Sequence, residues 1–353
     1  MRRAGRYIRH YVRMDEISGD DPQTIVGELI DGAWRAQVVG AFVRVGCADL
    51  LYGRQMTVRE LAHESKLHEP TLDRLLRAGV ALGLCFRIND QVGLTPAGAL
   101  LANSHPASVR SWAVLVTDSW MTRAWEHLPD AIGTGGPAFP LAHGVGFWDY
   151  VGAHPEESAF FDRAMTSGGE ARAAILAAHV DLSDVRTVVD VGGGQGQLLA
   201  SLLTSNDNLI GVVADRPEVI AAGRTDMSAS VRDRLKFQAV DFFTNIPRGA
   251  DLYVLSRILH DWDDAKALQI LQSCRSAMDS AARICILEGV FVESEGLSPD
   301  LDTAIKDLNM LVLVGGQERT AAEYQALLTS AQFTDVDCTL TGDVADVILG
   351  TAT

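Results

Sequence analysis

The sequence predicts an α/β domain with a doubly wound parallel sheet ending in an antiparallel hairpin, preceded by an α-helical domain with a winged helix. Three observations predict it. An apolar run at 187–191 breaks into a glycine cluster and resumes as a helix-compatible segment at 197–203. Strand-length apolar runs then alternate with helical sequence from residue 184 onward. Ahead of them, residues 57–98 read as two short helices followed by a small hairpin.

At 353 residues the chain has room for two domains, which usually run about 100–200 residues each. The expected division is 1–20, 21–105, 106–180 and 181–353: a basic leader, a winged helical domain, a helical linker that contributes to the substrate pocket, and the sheet domain. Hydrophobic content of 47% supports packed cores, and no apolar run reaches the about 18 residues of a membrane span. The five cysteines are odd in number, scattered and never spaced C-x-x-C, which argues against structural zinc and a disulfide framework and fits a reducing, cytoplasmic setting. A net charge of -16 is expected to repel nucleic acid and anionic lipid.

The leader concentrates arginines (Arg2, Arg3, Arg6, Arg9, Arg13) without the apolar core and cleavage site of a secretory signal, and is expected to be mobile. Residues 24–51 read as one helix with Ile25, Leu29, Ala33, Ala36 and Val39 at helical spacing. So apolar a helix wants a partner, and a second subunit is the expected one. Thr57 and Glu60 form a capping box for the next helix, Pro70 starts the one after, and a turn at Asn89-Asp90 closes the hairpin. DNA binding by this winged unit is disfavoured, because Asp73 accompanies Arg74 and Arg77, the only cations of the recognition helix. Dimerisation and covering of a substrate fit better.

Between 105 and 180 the sequence is helical and rich in aromatics, among them Trp120, Phe147 and Trp148, which suit the wall of a flat pocket. Strands are expected at 187–191, 209–215, 235–240, 252–255 and 283–288, and a final hairpin at 334–340 and 345–351.

The chemistry-bearing residues fall at the carboxyl ends of these strands, where open α/β sheets bind ligands. Asp190, Gly192, Gly193, Gly194 and Gly196 form the glycine loop, in a Gly-x-Gly-x-Gly spacing that matches a nicotinamide dinucleotide fingerprint poorly. Asp215 ends the next run and is placed to hold ribose hydroxyls, while Asp241 and Phe242 can meet an adenine amino group and ring face. As alternatives, Asp241 caps a turn, and Asp263 or Asp264 caps the helix after it. His260 follows the run 252–255 and precedes Asp261, and an imidazole near pKa 6.5 beside carboxylates makes a general base. Glu288, ending the next strand, and Glu318 are expected to face the same cleft and steady the imidazolium. The residue spacings carry no zinc or carboxylate-loop signature, so no metal is expected.

Read together, VVDVGGGQG, DRPEV, DFF, LSRILHDWDD, LEGV and LNMLVLVGGQERTAAEYQALL resemble the S-adenosylmethionine-dependent O-methyltransferases of the plant phenolic, bacterial polyketide and aromatic-acid, and hydroxyindole type. The resemblance covers almost the whole chain after the leader. It implies a Rossmann-like methyltransferase domain, a homodimer with exchanged amino-terminal helices, S-adenosylmethionine as cofactor with S-adenosylhomocysteine as product, and a small aromatic hydroxylated acceptor. It implies His260 as base flanked by Glu288 and Glu318, the glycine loop near the methionine part, Asp215 on ribose, and Asp241 with Phe242 on adenine. Arg216, Phe243, Ser256 and Arg257 join that cofactor set; Ser256 replaces a lysine of plant members, and Arg216 replaces a small apolar residue. Arg257, Asn309 and Met165 match acceptor-side positions, and Arg257 leaves room for a carboxylate or carbonyl on the acceptor. A non-methylating homologue, an N- or C-methyltransferase and a cofactor-sensing DNA-binding regulator remain as rivals.

Overall fold

The computed structural model describes residues 21–166, 168–221, 227–292 and 300–353; the expected leader lies outside them. The described chain forms two compact units, residues 21–123 with 155–166, and residues 124–154 with 168–353. The segment 106–180, expected to form one linker, is therefore shared between the two.

In the first unit, Asp21 caps the helix Pro22–Arg44 by accepting from the Thr24 N–H, and Pro22 opens it, where a missing N–H costs nothing. The expected single helix over 24–51 is two. Gly46 adopts φ 80°, a left-handed conformation open to glycine, and the chain restarts as Cys47–Leu51. Phe42 and Val43 at the carboxyl end of the long helix join the core of this unit, whereas Leu29 (72% exposed) and Trp34 (73%) at its amino end do not.

The winged unit forms as patterned. Strand β1 (Met56–Thr57) leads into the helix Val58–Ser65, whose capping box has both bonds in place. The helix Glu69–Ala81 follows, then β2 (Cys85–Ile88) and β3 (Gln91–Leu94), with Asn89 at φ 56° making the turn. The order is β1-β3-β2. On the would-be recognition helix, Asp73 pairs with Arg77 and also takes Arg87 from the wing (2.6 Å), so that charge is neutralised locally.

The second unit carries β4 (Thr187–Val191), β5 (Ile210–Asp215), β6 (Leu235–Ala239), β7 (Leu252–Ser256) and β8 (Arg283–Glu288), all parallel to one another. After β8 comes β9 (Val290–Phe291), which pairs with β10 (Arg319–Thr320). The hairpin β11 (Phe333–Thr339) and β12 (Asp346–Ala352) closes the large sheet in the order β11-β12-β8-β7-β4-β5-β6. Alternate residues feed two cores. Val189, Val191 and Leu255 pack with Ile270, Tyr324 and Leu328 on one face, and Val188, Val254 and Leu287 pack with Leu199 and Leu203 on the other. Burial on both faces is why these strands read as continuous apolar runs. Among the described residues, no helix is long and apolar enough to cross a membrane.

The β9–β10 pair was not foreseen. Two-residue strands carry no periodicity, yet this pair carries the 318–320 segment to the end of β8 and so assembles the site.

Candidate active site

The order β7-β4-β5 puts the glycine loop at the centre of the sheet's carboxyl edge. Gly192, Gly194 and Gly196 hold φ 72°, 59° and 79°, and a Cβ on Gly192 would stand 2.3 Å from the Ile258 side chain. Gly193 lies against Asp190, whose carboxyl a Cβ there would meet at 2.7 Å. Asp190 is buried, its Oδ1 has no hydrogen-bond partner, and burial pushes its pKa up to about 7 against the nearby charge of Arg172. Asp215 closes β5 with its carboxylate accepting from the N–H groups of Gly194 (2.8 Å) and Arg216 (2.7 Å). Burial raises its pKa and those two bonds partly offset the rise. Ser256, at the end of β7, has a buried Oγ without a partner, and Arg257 beside it sits at φ 59°. Asp241 caps its own turn, accepting from the Phe243 N–H (3.0 Å) and the Thr244 hydroxyl (3.2 Å), the alternative the sequence had left open.

His260 lies in the 3-10 turn Leu259–Asp261 and is 4% exposed. Its Nδ1 is 2.9 Å from Glu318 Oε1, and its Nε2 is 3.5 Å from Asp261 Oδ1. Burial raises the pKa of Glu318, but the charge and hydrogen bond of His260 outweigh it and hold the group below its usual value. Glu318 is therefore an acceptor, Nδ1 carries the proton, and Nε2 is the basic atom. Burial alone would lower the His260 pKa. Glu318, Glu288 and Asp261 together override it and push the group up to about 9. Asp261 is pushed up to about 6, chiefly by burial.

Glu288 corrects the expectation. It does not face a cleft: it is fully buried, with Oε1 accepting from the N–H groups of Ile258 (2.9 Å) and Leu259 (2.6 Å). Its Oε2 accepts from the His260 N–H (3.1 Å) and the Tyr324 hydroxyl (2.6 Å). It shapes the turn that carries the imidazole. His260, Glu288 and Glu318 do each place a ligand atom within 4.8 Å of the others, the grouping expected from the sequence.

Arg319 and Asp307 brace the site and escaped the sequence reading, and Asp264, expected as a helix cap, braces it with them. Arg319 is 0% exposed and donates to the carbonyls of Leu259 (2.9 Å) and Trp262 (2.7 Å) and to Asp264 Oδ1 (2.9 Å). Asp264 also accepts from Gln317, while Asp263 is the helix cap. Asp307 accepts from the Glu318 N–H (2.9 Å). The only hint in the sequence was an arginine in an otherwise small and polar loop.

Residues 125–334 match the O-methyltransferase domain and residues 27–104 the O-methyltransferase dimerisation domain. The chain belongs to the O-methyltransferase family. A phenazine O-methyltransferase from Lysobacter antibioticus is 34% identical over 88% of this chain and 90% of its own. An 8-amino-8-demethylriboflavin N,N-dimethyltransferase from Streptomyces davaonensis is 35% identical over 89% of this chain and 90% of its own. Human N-acetylserotonin methyltransferase, solved in complex with S-adenosylmethionine, superposes with a TM-score of 0.86 at 28% identity, covering 95% of this chain and 98% of that one.

This methyltransferase uses S-adenosylmethionine, and its dimerisation domain makes it a homodimer. The residues present fit that cofactor: the glycine cradle admits a ligand where a Cβ would not, and the orphaned Asp190 Oδ1 and Ser256 Oγ await donors and acceptors of the kind it carries. The residues expected at the acceptor are divided between the two units. Phe147 is buried edge-on against Phe139 at 5.2 Å between centroids. Trp148 packs against Phe147 (5.0 Å) and Trp262 (6.4 Å). Asn309 accepts from Trp125 Nε1 (3.2 Å) on the helix Leu301–Leu313. Trp120, which is buried, and Met165, half-buried, belong to the other compact unit.

Proposed function

We propose that this methyltransferase is a cytoplasmic, metal-independent enzyme that methylates the hydroxyl of a small aromatic acceptor, with His260 as general base. The observation that carries the reading is the buried His260–Glu318 pair, 2.9 Å apart, which orients Nε2 as the basic atom. The glycine loop, Asp215, Asp241 and Phe242 would hold S-adenosylmethionine, which when bound would supply a methyl group already activated by its sulfonium.

The protein's part is to receive a proton and to hold atoms in line. A free phenol titrates near 10, so an ordinary histidine near 6.5 is a poor match for it. With its pKa pushed up to about 9, His260 brings the transfer close to thermoneutral. Glu318 keeps the ring in one tautomer and stabilises the imidazolium, and Asp261 beside Nε2 adds to that stabilisation. Alignment of the acceptor oxygen with the methyl group and sulfur can supply about 7–11 kcal/mol. Metal independence is supported by Glu288, whose two oxygens already accept four hydrogen bonds and so have no lone pair left for an ion. Cytoplasmic placement is supported by five cysteines that are all free thiols, four of them buried. An aromatic acceptor is supported by the phenazine relative; the riboflavin relative keeps an aromatic amine as the second reading.

The test is transfer of label from S-adenosylmethionine to a panel of hydroxylated aromatics, their amino analogues and their carboxylated forms, with and without a chelator. Transfer to hydroxyls that survives the chelator and falls about 10²–10⁴-fold in His260→Ala is expected. Transfer to amines alone, or loss of activity with the chelator, overturns it. Better turnover of neutral phenols than of their carboxylated forms would count against acceptor recognition by Arg257.

A further inference from the structure

The side chain of Trp148 bridges two loops that flank the glycine turn. On one side the Arg216 guanidinium stands 5.3 Å from the indole centroid; Arg216 is the residue directly after Asp215 at the end of β5. On the other side the ring lies nearly parallel to Trp262, at 6.4 Å and 23°, in the loop that follows β7. In the sheet β4 runs between β5 and β7, and neighbouring strands lie about 4.8 Å apart. An indole that meets the loops after both flanking strands lies at the carboxyl edge of the sheet, the edge from which Gly192 to Gly196 follow β4. The adjoining rings continue the layer. Phe242, after β6, lies edge-on to Trp262 at 6.2 Å and approaches Gly192, where a Cβ would meet it at 3.8 Å. Trp262 Nε1 is buried with no hydrogen-bond partner among the described residues, a donor that a ligand under this layer can engage. Arg216 is meanwhile steadied by Glu218 at 3.2 Å.

We propose that Trp148 and Arg216 form a roof over the glycine loop that retains the adenosine half of S-adenosylmethionine, rather than part of the acceptor wall. The inference rests on the placement of the cofactor at that loop. It gives Arg216, which departs from the family pattern without evident reason in the sequence, a role: its charge lies on the electron-rich face of the indole and ties the helix Phe147–Ala153 to the ribose side of the site.

Calorimetric titration of S-adenosylhomocysteine into the full-length protein tests this, with W148A, W148F and R216Q beside wild type. W148A and R216Q are each expected to weaken binding about tenfold, with W148F retaining most of the affinity. The KM for the acceptor at saturating cofactor is expected to stay within about twofold in all three. A binding constant within about twofold of wild type in both W148A and R216Q overturns the proposal, and a raised acceptor KM beside it would return Trp148 to the acceptor wall. If circular dichroism shows W148A to be unfolded, R216Q decides, because that side chain is one-third exposed and its loss leaves no core cavity. Wild-type protein that does not bind S-adenosylhomocysteine at all would refute the cofactor placement instead.

Discussion

At the scale of the residue, the imidazole of His260 is set by its three carboxylate neighbours, and they do different things. Glu318 touches the ring, Asp261 approaches its far nitrogen, and Glu288 reaches it only through field and backbone. A base must be neutral to accept a proton. With the pKa raised to about 9, kcat/KM should therefore climb with pH through neutrality and level off above about 9. Glu318→Gln removes the first-named of the groups that raise that pKa, so the rising limb should move to lower pH while the plateau falls. A pH–rate profile of both proteins checks this; a limb that stays in place would show that Glu318 does not tune the base. The sequence pointed to His260 and Glu318 through spacing alone, but it could not tell a carboxylate that touches the ring from one that holds the backbone. Glu288 and Glu318 look alike in one dimension. Only the bonds to Ile258, Leu259, His260 and Tyr324 separate them.

At the scale of the element, the site is one loop pressed against one turn. The loop at 315–320 docks on the 3-10 turn through the Gln317 N–H, which donates to the His260 carbonyl at 2.9 Å. Gly316 makes the approach possible: a Cβ would stand 2.0 Å from that carbonyl oxygen and 2.5 Å from the Asp261 carbonyl carbon, both backbone atoms that cannot swing aside. Gly316→Ala should force loop and turn apart, costing about 1–3 kcal/mol and most of the activity, read as a lower Tm and kcat. Arg319→Met should cost more, about 2–5 kcal/mol, because it strands the carbonyls of Leu259 and Trp262, while the exposed Asp264 carboxylate turns to water. Urea unfolding measures it, and a loss below about 1 kcal/mol would show that the clamp adds little to stability. Elsewhere the elements were legible from pattern. The strands of the large sheet lie within a residue of their expected ends, because burial on both faces writes them as apolar blocks bounded by glycine or polar residues. The exceptions were β9 and β10, too short to show a period, and the break at Gly46, where one left-handed glycine interrupts an otherwise helical pattern.

At the scale of the whole molecule, the long amino-terminal helix leaves Leu29, Ile30 and Trp34 more than two-thirds exposed. A helix face this apolar is unfavourable in water, and it lies in the dimerisation domain, where a second subunit is the expected cover. Leu29→Arg with Trp34→Arg should therefore shift the protein from dimer to monomer at micromolar concentration, as read by light scattering during size-exclusion chromatography. A dimer that persists in the double variant would place the subunit contact on another face.

The sequence by itself determined the doubly wound sheet, the winged helical unit, the glycine loop and the position of His260 after β7, because periodicity, capping and turn chemistry are local and leave their record at fixed spacing. The motifs also carried the family. Tertiary structure alone decided which carboxylate orients His260, that Arg319 clamps its turn, and that Trp148 meets Arg216 and Trp262. Those partners lie 58, 60 and 114 positions apart (260 to 318, 259 to 319, 148 to 262). They meet only because β9 pairs with β10 and because β4 runs between β5 and β7. Side-chain hydrogen bonds and ring contacts at such separations depend on the packed sheet edge, and no local pattern in the chain encodes them.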